Sequence, residues 1–205
     1  MSNCINEDPI YVITPCSRPE NLRQIERTFH ICFQARDRMN NLVNWIIVHD
    51  ADEIPAGLFN EEGILHLNIK GGVVGKLQIN HALDYLQEHE MPGWIYVLDD
   101  DNAVHHNFMN EIMCQFMEDA GRYFAYVFDQ QLEGGTVREV DMDNIAPCFI
   151  DQAQYIIHTK LIQNLRYEQF YEADGKFIQM LYSEYKELFA QIKKTLSFYN
   201  RLKWQ

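Results

Sequence analysis

The sequence predicts an α/β fold: a Rossmann-like, mostly parallel sheet with helices on both faces. Three observations predict it. Short β-branched or aromatic runs alternate with stretches of helical spacing through the first two thirds of the chain. The strand runs are almost continuously apolar, as in Trp45-Ile46-Ile47-Val48 and Trp94-Ile95-Tyr96-Val97-Leu98, which suits a sheet covered on both sides. Charged residues collect where those runs stop, at the carboxyl ends where such a sheet opens its ligand crevice.

The elements follow in order. Ile10-Tyr11-Val12-Ile13-Thr14 reads as a first strand running into Pro15-Cys16-Ser17-Arg18-Pro19-Glu20, with Ser17 as a capping residue and Pro19 in a first helical turn. Leu22, Ile25, Phe29, Cys32 and Phe33 recur at helical spacing, with Arg23, Glu26, Arg27 and Arg36 between them. Trp45 to Val48 forms a second strand ending at His49-Asp50, and Leu65, Leu67 and Ile69 alternate with His66 and Asn68 in a third. After Gly71-Gly72 the period changes, and Ile79, Ala82, Leu83 and Leu86 mark a helix up to about Glu90. Pro92-Gly93 turns the chain into Trp94–Leu98, and Phe108, Ile112 and Phe116 form the next helical stripe. Phe124, Tyr126 and Phe128 alternate as a strand, Glu133-Gly134-Gly135-Thr136 suits a hairpin leading to Val137–Val140, and a further strand lies near Tyr155 to His158. From Asp174 on, Phe177, Leu181, Leu188, Ile192 and Tyr199 predict one long C-terminal helix. Phe189, Phe198, Leu202 and Trp204 spill beyond its stripe; extra core is the ordinary reading, and a homodimer face or a contact with a membrane-bound acceptor the other.

At 205 residues with 47% apolar content, the chain has material for one domain with a substantial core. The formal net charge of −13 opposes phosphate backbones and anionic membranes, so nucleic acid is not an expected partner. No apolar run approaches the roughly 20 residues of a transmembrane segment. The polar, acidic first residues do not read as a secretory signal, and five scattered cysteines without a CxxC pair suggest reduced thiols, so a cytoplasmic location is expected.

The chemistry is concentrated at four strand ends: Pro15-Cys16-Ser17-Arg18, His49-Asp50-Ala51-Asp52, Lys70-Gly71-Gly72 and Asp99-Asp100-Asp101-Asn102. Three adjacent carboxylates repel one another unless a cation or several donors offset them. Mn²⁺ or Mg²⁺ does so best, because hard ions take oxygen ligands and Mg²⁺ combines one or two carboxylates with substrate phosphates. The ordinary alternative is a solvated acidic loop; its position after so apolar a strand favours the metal. An EF-hand is excluded, since the loop's sixth residue would be Val104 where Gly is needed and its twelfth Asn110. His105-His106 suits an exposed helix start better than a ligand pair. Gly71-Gly72-Val73-Val74-Gly75-Lys76 lets backbone approach a ligand at a helix N-terminus, which favours anions, yet it matches neither a P-loop nor GxGxxG.

Taken together these pieces resemble a known family. Tyr11–Pro15 with Arg18-Pro19, Trp45–Ala51, Gly75 with Asn80-His81-Ala82-Leu83 and Leu86, and Tyr96–Asn102 fall in the order seen in GT-A fold glycosyltransferases, and look most like the β-1,3-glucuronyltransferases. Phe149-Ile150-Asp151-Gln152-Ala153 and Glu172-Ala173-Asp174 extend the similarity over about residues 10–178. The resemblance implies a single domain with a donor-binding half over about 9–102 and an acceptor and catalytic half over about 103–205. It implies inverting transfer from a UDP-sugar to a saccharide or other hydroxyl acceptor, with Asp50 on the uracil or ribose, Asp99 and Asp100 on the ribose side, and Asp101, with Asp99, at the metal of the DXD motif. Thr14, Pro15, Arg18, Lys76 and Asn80 complete the donor crevice. The catalytic base is an acid opening a late helix, Glu172 or Asp174, with Asp151 nearby; Asp174 is preferred because it precedes Gly175 on a rigid helix. Ordinary roles stand beside these: turn-capping for Asp151, and helix capping or first-turn acid for Glu172 and Asp174. The family's Arg before Asn80 is Ile79 here, leaving Lys76 as the substitute cation. Two other classes remain: a sugar-nucleotide nucleotidyltransferase, which would show a Gly-rich basic loop after the first strand, and a non-catalytic nucleotide-sugar-binding protein of the same fold.

Overall fold

A computed structural model describes residues 8–33, 43–58 and 62–202. The chain runs β1 (Ile10–Cys16), α1 (Leu22–Phe33), β2 (Val43–His49), β3 (Ile64–Asn68), α2 (Lys76–Glu88), β4 (Trp94–Val97), β5 (Ala103–Val104), α3 (Phe108–Asp119), β6 (Ala125–Gln131), β7 (Val137–Arg138), β8 (Tyr155–His158), α4 (Thr159–Ile162), α5 (Ala173–Tyr185) and β9 (Phe189–Phe198). The sheet order is β3-β2-β1-β4-β8-β6-β9-β5, with β7 paired to β6. Strands β3, β2, β1 and β4 are parallel, as are β6 and β9, while β8 joins the two groups in antiparallel fashion.

Period-2 alternation in the strands builds two cores. Ile10, Val12, Trp45, Ile47, Trp94 and Tyr96 face α1 and α3, where Leu22, Ile25, Phe108, Ile112 and Phe116 are buried against them. Tyr11, Ile13, Ile46, Val48, Ile95 and Val97 face α2 and α5, meeting Ile79, Leu83, Leu86, Phe177 and Leu181. Helices therefore cover both faces, as the apolar strands require. The side chains of Phe29, Cys32 and Phe33, together with Arg36 and Trp204, lie outside the described side chains.

Two expectations are corrected. The long C-terminal helix ends at Tyr185; after a single 3₁₀ turn over residues 186–188 the chain becomes β9. The cause is an irregularity in the β6–β9 pairing. Phe128 pairs with Ile192, Asp129 with Thr195 and Gln130 with Ser197, so Lys193, Lys194 and Leu196 are extra residues on β9 that break its alternation. Ile192 and Tyr199 stand on either side of that irregularity, at a separation that also suits a helix. A homodimer face on that helix loses its element, since Phe189, Ile192, Leu196 and Leu202 are buried in this chain's own core. Ser17 also does not cap the first helical turn; its hydroxyl donates to Asp100 at 3.0 Å.

Candidate functional site

The carboxyl ends of β1, β2 and β4 open onto a crevice of about 380 Å³. Pro15 lies among the last paired residues of β1 and Arg18 follows that strand, Asp50 follows β2, Gly75 and Lys76 open α2, and Asp99, Asp100 and Asp101 follow β4; Arg138, Asp151, Gln152, Glu172 and Asp174 close it from the other half. Pro15 sits beyond the last β1–β4 pair, Ile13 with Val97, where a residue lacking N–H is tolerated.

The three acids do different work. Asp100 is buried and accepts from Ser17 N at 2.6 Å, Ser17 Oγ, Arg18 N at 2.7 Å and Arg18 Nε at 2.8 Å, with Arg18 Nη2 closing a bidentate pair. With so many donors already on it, Asp100 serves the first turn after β1. Asp101 pairs with Arg18 Nη1 at 2.9 Å. Asp99 accepts from Gln152 Nε2 and, more weakly, from Asn102 Nδ2 at 3.4 Å. Burial, followed by the facing carboxylate of Asp151, pushes Asp99 up to about 7, against the opposing influence of Lys76.

Lys76 is almost fully buried, donates to Gln152 Oε1 at 2.8 Å and lies over the Tyr167 ring at 5.4 Å. Gln152 thus links the Lys76 ammonium to the Asp99 carboxylate. Gly75, at φ 75°, caps α2 in the left-handed region, and a Cβ there would come within 2.8 Å of Pro15 Cβ. Asp50 accepts the Gly71 N–H at 2.8 Å and so ties β2 to the loop before α2.

Asp151 does take the capping role. It accepts from Ala153 N at 3.0 Å while Gln154 Oε1 accepts its own N–H at 3.1 Å, and Arg138 Nη1 stands 3.8 Å from its Oδ2. Burial and then the neighbouring Asp174 raise its pKa. Glu172 is the residue before α5 and makes no side-chain cap bond, and Asp174 lies in the first turn. Gly175 explains their position: a Cβ there would come within 2.7 Å of Pro147 Cα, so α5 starts flush against the 146–148 backbone.

Two expected residues stand away from the crevice. Thr14 is fully buried and its hydroxyl accepts from Trp45 Nε1 at 2.9 Å. Asn80 clamps a loop, donating to Tyr167 O and accepting from Tyr167 N, both at 2.8 Å. Conversely, sequence reasoning assigned no role to Gln152, Arg138, Tyr171, Tyr199 or Asn200, all of which line the crevice. Tyr199 and Asn200 arrive through β9, and the following residues are pinned to the acidic loop by Asn200 N to Asn102 Oδ1 and Leu202 N to Asp101 O, each 2.8 Å.

Among the described residues no three His, Cys, Asp or Glu side chains converge to form a metal site by themselves. The donor set nevertheless fits a hard cation: carboxylate oxygens from Asp101 and Asp99 line the crevice, and Asp99, raised by burial and then by Asp151, would be relieved by a positive charge beside it.

No family profile matches the sequence, and no curated protein resembles it in sequence. Solved structures do share its fold. S. aureus TarS 1–349 superposes at a TM-score of 0.68 with 12% identity, covering 93% of this chain and 60% of that one. The longer TarS structure gives 0.68 and 11%, covering 93% and 36%, and TarS 1–349 in complex with UDP-GlcNAc gives 0.68 and 10%, covering 93% and 58%. This chain therefore spans at most 60% of the length of these proteins. Nothing among them speaks for the β-1,3-glucuronyltransferases, and what the likeness establishes is the fold alone: a mixed α/β architecture shared with the TarS structures.

Proposed function

We propose that the protein is a metal-dependent glycosyltransferase that moves a sugar from a UDP-sugar to an acceptor hydroxyl with inversion. The observation that carries the reading is the convergence, at the carboxyl ends of parallel strands, of Asp50, the α2 N-terminus and Asp99–Asp101 on one side with Glu172 and Asp174 on the other. The TarS complex with UDP-GlcNAc supports a nucleotide-sugar donor for this type of crevice. The residue resemblance to the β-1,3-glucuronyltransferases supports inversion, and glucuronyl transfer rests on that resemblance alone.

In this reading Asp50, with one oxygen held by Gly71 N–H, offers the other to the uracil N–H or a ribose hydroxyl. The diphosphate lies toward the α2 N-terminus, whose dipole favours anions. Asp101 and Asp99 hold the divalent cation, which when bound offsets the charge growing on the nucleoside diphosphate as it leaves. Asp174 accepts the proton of the attacking hydroxyl, because nucleophile activation needs a carboxylate on the face of the sugar opposite the leaving group. Asp151, held by its own capping bonds and Gln130, shapes the pocket without taking that proton.

The test is turnover: UDP release from UDP-hexoses and UDP-glucuronate with Mn²⁺ in the presence of oligosaccharide acceptors, with the anomeric configuration of the product read by NMR. An inverted product supports the reading; a retained configuration removes the base from it. Release of pyrophosphate from a nucleoside triphosphate and sugar phosphate would instead identify a nucleotidyltransferase.

A further inference from the structure

Beside the crevice lies a second cavity of about 240 Å³, lined by Glu139, Val140, Asp141, Asn144, Ile145 and Phe149. Arg138, Cys148 and Ile150 line both spaces, so they form a sill between them. The start of α5, which carries Glu172 and Asp174, is packed against the backbone of that sill at residues 146–148. A hydroxyl activated there would leave the rest of its molecule to extend across the sill.

The lining has a definite chemical character. Phe149 at 61% and Tyr171 at 66% are the two aromatic side chains that stand furthest into solvent among the described residues, and one borders each space. Aromatic rings left in water at a concave polar site suit the C–H face of a sugar ring, while carboxylates and amides beside them suit its hydroxyls. The charge is one-sided. Glu139 and Asp141 are exposed on the cavity wall. The one cation on the sill, Arg138, faces Asp151 and lies 5.5 Å from the centre of the Tyr199 ring.

We infer that this cavity is an acceptor subsite for a neutral or amino-bearing saccharide, and that it excludes polyanionic chains bearing phosphate, sulfate or uronate groups. The inference rests on the glycosyltransferase reading and adds to it the class of the acceptor. Exposed carboxylates on the cavity wall disfavour an anion even where hydroxyl contacts are intact.

The test uses three sets of probes: N-acetylated chito-oligosaccharides and malto-oligosaccharides as neutral chains, glucosamine oligomers as amino chains, and oligogalacturonates with sulfated oligosaccharides as anions. Binding is followed by saturation-transfer NMR and by protection of the exposed Cys148 from a thiol reagent, with the labelled peptide identified by mass spectrometry. Neutral or amino oligomers are expected to bind and to slow Cys148 labelling, and Phe149→Ala to weaken them about tenfold. Glu139→Lys with Asp141→Lys, both on the surface, is expected to admit the anionic oligomers. Anions that bind the unaltered protein as well as neutral chains do, an unchanged affinity in Phe149→Ala, or no protection of Cys148 by any oligomer would overturn the inference. Thermal stabilisation by UDP with Mn²⁺ is measured in parallel: if it holds while no oligomer binds, the subsite alone fails, and if it is absent while oligomers still protect Cys148, the donor reading fails and the saccharide site stands.

Discussion

Asp100 and Asp101 are neighbours in sequence with opposite duties. Asp100 is buried under Arg18 and Ser17, so Asp100→Ala leaves the Ser17 and Arg18 backbone N–H groups without their acceptor and is expected to cost about 2–3 kcal/mol in urea unfolding. Asp101→Ala, which removes one partially exposed ion pair with Arg18, is expected to cost no more than about 1 kcal/mol, while removing the Mn²⁺ dependence of UDP binding. Equal destabilisation by the two would deny the division of roles. For the base, Asp174→Asn is expected to keep UDP affinity and lower turnover by roughly 10²–10⁴; a loss of that size in Glu172→Gln moves the role to the residue before α5. The acid triplet was legible because three adjacent carboxylates after an apolar strand need donors or a cation to offset their repulsion. Its internal division was not, because the donors that occupy Asp100 come from Ser17 and Arg18, more than 80 positions away. Gln152 was invisible for a related reason: an amide has no charge signature until Lys76 and Asp99 are brought to its two ends.

At the scale of elements, the strands and helices that build the crevice were readable because each has a clean period, with β2 and β4 apolar throughout and α2 and α3 striped. β9 was not, because the extra residues Lys193, Lys194 and Leu196 break its alternation and hide a strand's period. The junction of β1 with α2 depends on Gly75. Gly75→Ala would strain the left-handed backbone by about 1–2 kcal/mol and push against Pro15, so both the denaturation midpoint and UDP affinity are expected to fall. The β2–β3 edge gives a pH response. His49 Nε2 and His66 Nδ1 lie 3.0 Å apart, and burial, then His66, lowers His49 to about 4. The unfolded chain takes up a proton below about 6.5, whereas folded His49 resists it down to about 4. Its contribution is therefore complete above pH 6.5 and lost as the pH falls toward 4, on the order of 2 kcal/mol. Urea midpoints between pH 7 and pH 4.5 are expected to fall less in His49→Gln than in the unaltered protein; parallel curves would remove His49 as the source.

For the whole molecule, a net charge of −13 surrounds the crevice, so the field of the chain opposes the diphosphate that the proposed function places there. Arg18 and Lys76 do not overcome this, since the first is held by Asp100 and Asp101 and the second by Gln152. In the proposed function a divalent cation completed by the ligand's phosphates would resolve the conflict. Isothermal titration of UDP and ADP into the protein, with and without Mn²⁺ and repeated on Asp101→Ala, tests it most directly. The account predicts that Mn²⁺ strengthens UDP binding, that UDP binds more tightly than ADP, and that Asp101→Ala erases the Mn²⁺ effect. UDP affinity that is unchanged by Mn²⁺, or a Mn²⁺ effect that survives in Asp101→Ala, would contradict it.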